Sequence, residues 1–296
     1  MKQMRVDVGG HQVTTFSDGT GDEVVLLIHG GPGCPSDYLR ESHAPLVAQG
    51  FRVVTWDQLG SGSSDLPDDK SLWTVARFVE ETRMVCDALG LARVHVLGQS
   101  WGGILGLDFA LAYPERVRSF IGANTAFDLP RMQRGFERKK QALGEETCVM
   151  MGRHEAMGST DHPEYQAAVT ILMYRHMCRV PVWPDGLKKS MAGIGQSVFT
   201  EMFGPYFFNC TGTLRDHYRL DRLKDFDIPT LLIQGEHDYL IPDLAATARD
   251  LIPGARLHVL SNCSHMPFYE DPAAYFGVLV PFLRAQDGQA RPMPSR

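Results

Sequence analysis

No window of the 296-residue chain approaches the roughly 18 consecutive apolar residues that a membrane span needs. The opening residues, MKQMRVDVGGHQV, have no apolar stretch of the kind a secretory signal carries. Cysteine is sparse: six residues, at 34, 86, 148, 178, 210 and 263, with no Cys-x-x-Cys pair among them. In a chain this long they read as reduced core thiols of a cytoplasmic protein, not as a disulfide framework. A basic excess is also missing. Lys and Arg number 29 against 35 Asp and Glu, a formal charge of −6, which argues against a nucleic-acid partner held through phosphates. Internal repeats and low-complexity tracts are absent too. What remains is 44% apolar and 22% charged, enough to bury a large core and a deep pocket.

Alternation of short β-rich runs with longer amphipathic ones organises the first 124 residues. Strands are expected at 4–8 and 12–16, joined by the Gly9-Gly10 turn, and at 24–28, 51–56, 94–97 and 117–121. The continuous apolar runs suit strands buried on both faces. Val75, Phe78, Val79, Thr82, Val85, Cys86 and Leu89 fall at helical spacing, which predicts a helix over 73–89 ending at Gly90, and a second helix is expected over 104–112. Strand, helix, strand in this rhythm predicts a parallel sheet with right-handed crossovers. After Asn124 the rhythm breaks into Met-rich, aromatic and charged helix-like stretches with Pro-bounded turns at 179–184 and 204–205. It resumes with strands at 230–234 and 256–260 and helices at 244–251 and 272–283. The expected organisation is a core of 1–124 and 222–296 interrupted by a mostly helical insertion at 125–221, with a Gly/Pro-rich tail at 288–296 that should fray. The basic run 131–140 reads as a solvated helix face.

Gly98-Gln99-Ser100-Trp101-Gly102 fits G-x-S-x-G between a buried strand and a helix. So sharp a turn strains the serine backbone, admits only glycine beside it, and sets the hydroxyl at a helix N-terminus, where developing negative charge is favoured. A serine hydroxyl needs a base, and the base needs an orienting acid. The chain order Ser, acid, His points to Asp238, just past the strand 230–234, and to His265, on the loop after 256–260. Glu236 is the rival acid, since it follows the same strand. Among other histidines, His258 falls inside a strand, His237 shares the acid's loop, and His11 and His29 come too early. The segment His29-Gly30-Gly31-Pro32-Gly33, after the strand 24–28, offers exposed amides. Gly31 and Trp101 are the expected oxyanion donors, with His29 a brace for the loop.

Together His29–Gly33, Gly98–Gly103, Asp238 and His265 resemble the α/β-hydrolase fold, with a mostly parallel sheet flanked by helices and a helical cap insertion. HGGPG at 29–33, DQLGSGSS at 57–64, GQSWGG at 98–103 and the segment 211–223 resemble the proline iminopeptidase family in particular. The resemblance implies a serine hydrolase that uses no metal or other cofactor and releases an N-terminal residue, often proline, from small peptides or amides. It also implies a lid over the pocket and two glutamates holding the substrate's ammonium, one directly after the catalytic Asp and one in a segment similar to 203–208. This chain departs at both places, with Tyr239 after Asp238 and Phe207 in the lid segment. Gly30, Tyr206, Phe207, Tyr239 and Glu201, the nearest acidic replacement, are the candidate pocket residues. The expected reaction is hydrolysis of a small amide or ester through an acyl-enzyme, with no nucleic-acid or membrane partner. A true prolyl aminopeptidase, an esterase or lactonase, and a non-catalytic receptor built on the same fold stay open.

Overall fold

The computed structural model describes residues 1–286, so the fraying expected at 288–296 lies outside the described residues. In chain order the elements are β1 (Lys2–Asp7), β2 (Gln12–Asp18), β3 (Val24–Ile28), α1 (Asp37–His43), α2 (Pro45–Ala48), β4 (Arg52–Asp57), α3 (Val75–Ala88), β5 (Val94–Gln99), α4 (Trp101–Ala112) and β6 (Val117–Ala123). Five helices follow: α5 (Leu129–Gln141), α6 (Glu145–Met157), α7 (Pro163–His176), α8 (Asp185–Ala192) and α9 (Gln196–Met202). The chain closes with β7 (Thr230–Gly235), α10 (Pro242–Leu251), β8 (Arg256–Leu260), α11 (Pro267–Glu270) and α12 (Pro272–Ala285).

All eight strands form one sheet in the order β1-β2-β4-β3-β5-β6-β7-β8. β1 and β2 pair antiparallel, as does β2 with β4; every pairing from β4 to β8 is parallel. Every residue of β3, β5 and β7 is buried, which is why these strands read as predominantly apolar runs. β8, at the edge, keeps most of its side chains in solvent, His258 among them. Because the parallel strands share a direction, the loops after β3, β5, β6, β7 and β8 open side by side along one rim. Among the described residues no helix is long and apolar enough to cross a membrane.

Helix α3 starts two residues later than the spacing predicts, because the Thr74 side chain accepts from the Arg77 amide and caps the helix there. Helix α4 starts three residues earlier than expected, since Gly102 and Gly103, poor helix formers, lie within its first turn. Helices α1 and α2 had no counterpart in the periodicity. α1 packs against α8 of the cap, so its burial is supplied by a distant part of the chain.

Candidate active site

Ser100 stands between β5 and α4 with φ 58° and ψ −123°, a left-handed backbone for a residue with a side chain. The elbow closes so tightly that a Cβ at Gly98 would meet the Gly102 carbonyl oxygen at 2.1 Å, and one at Gly102 the Ile28 oxygen at 2.0 Å. Three hydrogen bonds fix the turn: the Ser100 amide to the Ala123 oxygen (3.0 Å), the Gly103 amide to the Ser100 oxygen (2.9 Å) and Thr125 Oγ1 to that same oxygen (2.8 Å).

Asp238 and His265, 27 residues apart, meet at the ends of β7 and β8. His265 Nδ1 lies 2.9 and 3.1 Å from the two carboxylate oxygens, and both side chains are buried. Three further donors reach Asp238: Asn124 Nδ2 (2.7 Å), Gln234 Nε2 (2.7 Å) and the Leu240 amide (2.9 Å). Such a set gives the buried carboxylate the hydrogen bonds its burial requires. Glu236, the rival acid, turns outward and accepts from the Asn262 amide (3.0 Å). The ring nitrogens of His265 are therefore assigned: Nδ1–H faces the carboxylate, and Nε2 accepts. What Nε2 faces is the Tyr239 hydroxyl, at 2.6 Å, with the two rings 4.2 Å apart.

On the opposite wall His29 acts as a brace. The Gln58 amide donates to its Nε2 (2.9 Å), so Nδ1 carries the proton and donates to the Gly30 oxygen (3.0 Å). Burial lowers its pKa and keeps it neutral. The Gly30 amide is taken by the Tyr38 hydroxyl (2.7 Å), which donates to Gln99 Oε1 (2.6 Å); Gln99 Nε2 in turn donates to the His265 oxygen (3.2 Å). The amides of Gly31 and Trp101 donate to no other backbone group among the described residues, and both residues line the cavity above Ser100. Trp101 itself is anchored through its indole N–H to Gln58 Oε1 (2.9 Å). The Tyr38, Gln58, Gln99, Asn124 and Gln234 contacts had no signal in sequence spacing, since each depends on the rim that the sheet order creates.

The cavity measures about 850 Å³ with its mouth. Gly30, Phe207 and Tyr239 line it, together with Phe136, Phe199, Phe203 and Phe208, and among the described residues no carboxylate side chain is in its wall. Two candidates from the sequence fall outside. Tyr206 turns away from the cavity, and its hydroxyl donates to the Glu155 backbone oxygen (3.0 Å). Glu201 faces Lys70 at 3.8 Å instead of the cavity. Cys34 is in the wall, but burial pushes its thiol pKa far up, which leaves it an inert apolar surface. Ligand atoms of His154, His162 and Glu164 lie within 4.8 Å of one another, a group that could hold a metal ion, and none of the three borders this cavity.

Residues 23–147 match the α/β hydrolase fold family. A proline iminopeptidase from Heyndrickxia coagulans is 31% identical over 283 residues, covering 95% of this chain and 98% of its own. The chain belongs to the proline iminopeptidase family. Two solved structures agree. That of VinJ superposes with a TM-score of 0.92 at 32% identity, covering 96% of this chain and 99% of that one. That of a proline iminopeptidase from Mycobacterium smegmatis gives 0.89 at 33% identity, covering 97% and 99%. The protein is thus a serine hydrolase with the α/β-hydrolase fold, as the motifs implied.

Proposed function

We propose that Ser100 is the nucleophile, His265 its base and Asp238 the group that holds the imidazole tautomer, in hydrolysis of a small amide or ester. Ser100 Oγ attacks the scissile carbonyl, and its proton passes to His265 Nε2. That proton then goes to the leaving group as the bond to carbon breaks. Water, deprotonated by the same nitrogen, releases the acyl group. The Gly31 and Trp101 amides receive the developing oxyanion, each worth about 3 kcal/mol in the transition state. Every step has a protein group to carry it. The His265–Asp238 bond of 2.9 Å above a cavity reached by Ser100 is the observation that carries the reading.

The wall chemistry favours an acyl part that is apolar and uncharged. A buried ammonium with no carboxylate loses several kcal/mol of hydration, and aromatic faces return only about 0.5–2 kcal/mol. Lys139 is close enough to Asp238 for their charges to interact, which adds a further cation near the site. The name of the relatives favours a second reading, release of N-terminal proline. The helices of 125–221 serve as the lid over this pocket, and the substrate is a small molecule. A cytoplasmic location fits the cysteines, all of them free thiols.

Rates on a free-amine amide, its N-blocked form and an ester sharing one acyl group separate the readings. The blocked amide or the ester should turn over faster than the free amine. A free-amine prolyl substrate cleaved tenfold faster than both would establish the aminopeptidase instead. Failure of a fluorophosphonate to label Ser100 would leave only a receptor.

A further inference from the structure

The nitrogen that must act as base already has a hydrogen-bond partner. His265 Nδ1–H is committed to Asp238, so Nε2 offers one lone pair, and the Tyr239 hydroxyl donates to it at 2.6 Å. Among the described residues Ser100 makes no direct hydrogen bond to that nitrogen; its hydroxyl donates to the Tyr239 phenol oxygen instead. Burial, and then the Asp238 charge, raise the phenol's pKa well above the ordinary value, so it stays a protonated donor. One lone pair cannot accept from Tyr239 and take the Ser100 proton together. The position between Ser100 and Nε2 is also where a leaving group must receive its proton.

We infer that Tyr239 is a positioning residue that latches the base and is displaced by substrates whose acyl group fills the apolar cavity. The coupling lies in what holds the ring. Tyr239 packs on Phe136 of α5 at 5.5 Å and on Phe208 of the following loop at 5.6 Å, and all three line the cavity. An acyl group seated against Phe136 and Phe208 competes for the same surface and turns the phenol off Nε2. A small acyl group leaves that surface empty and the latch closed. Selectivity for cavity-filling acyl groups thus arises at the base and not only from their binding. This rests on the assignment of Ser100 and His265 given above.

The test is Tyr239→Phe, which keeps the ring and removes the donor, assayed on p-nitrophenyl acetate and on a p-nitrophenyl ester of a longer, cavity-filling acid. If the unlatched fraction of the free enzyme is about a tenth, the acetate should gain about tenfold in kcat/KM, while the longer ester changes less than about twofold. Labelling by a small fluorophosphonate should accelerate with the acetate. Equal changes on both esters would show that the hydroxyl does not discriminate acyl size, and slower turnover of both would make it a proton carrier; either overturns the latch. Phe136→Leu loosens the same ring from the other side and should also favour the acetate; no change there counts against the proposal. Ser100→Ala run beside them separates the two levels. If it keeps turnover, the nucleophile assignment fails; if it is dead while Tyr239→Phe slows, only the latch fails.

Discussion

At the scale of single residues the site is held by hydrogen bonds that leave little freedom. Ser100→Ala should lower kcat by about 10⁶, the loss expected when a nucleophile acting as a unit with its base is removed. Steady-state turnover on an activated ester checks it. Asn124 donates to Asp238 Oδ2 and also to the Ser264 oxygen at 3.0 Å, tying the loops after β6, β7 and β8 together. A hydrogen bond to a buried charge contributes about 1.5–3 kcal/mol, so Asn124→Ala should cost roughly 10- to 100-fold in kcat, with KM less affected. The residues that follow strand ends, Ser100, Asp238 and His265, were legible because a parallel strand fixes where its next loop opens. Tyr239 over Nε2 was not. A side chain's rotation depends on what packs against it, and here that is Phe136 and Phe208, both distant in sequence.

Elements show a different balance. β3 was legible because full burial leaves no polar position to confuse the run, and β5 and β7 because their buried polar residues are few and stand mostly at the strand ends. α1 was not, because its buried Tyr38, Leu39, Ser42 and His43 mix polar with apolar. Its junction with the cap can be tested at Ser190, fully buried in α8. The Ser190 hydroxyl accepts from the Tyr38 amide (3.1 Å) and donates to the Pro35 oxygen (2.9 Å). Ser190→Ala leaves both groups unsatisfied and should lower stability by about 1–3 kcal/mol in denaturant titration. Helix α3 carries a titrating group. Glu81 is fully buried and accepts from the Trp56 indole (2.9 Å) and the Leu59 amide (3.1 Å), and burial pushes its pKa up to about 7. An unfolded glutamate titrates near 4.3, so between about pH 4.3 and 7 the folded state holds a proton that the unfolded chain has released. That contribution is fully present below the unfolded value and is lost as pH rises through the folded one. Wild type should therefore lose on the order of 3 kcal/mol over this range, and Glu81→Gln, which has no proton to release, should lack that slope. Chemical denaturation at pH 5 and pH 7.5 compares them.

For the molecule as a whole, the decisive contact is between the cap and the loops of the rim. The Gly195 amide, just before α9, donates to the Gly33 oxygen at 2.9 Å, and a Cβ at Gly195 would stand 1.8 Å from the Gly60 oxygen. Gly195→Ala should lift α9 from the loop after β3 and misplace the Gly31 amide. A misplaced oxyanion donor costs about 10²-fold or more in kcat. Rates should fall while core stability changes little; equal losses in both would mean the contact serves folding alone. The amino-acid sequence on its own specified the parallel sheet, the strained serine turn, and the acid and histidine beyond their strands. Each follows from local rules, namely apolar periodicity, glycine where no Cβ fits, and loops that open at strand ends. Packing alone decided that Phe207 lines the cavity while Tyr206 leaves it, that Glu236 faces solvent, and that a phenol rests on the base nitrogen. Those outcomes depend on which distant surfaces meet, and no local pattern encodes that.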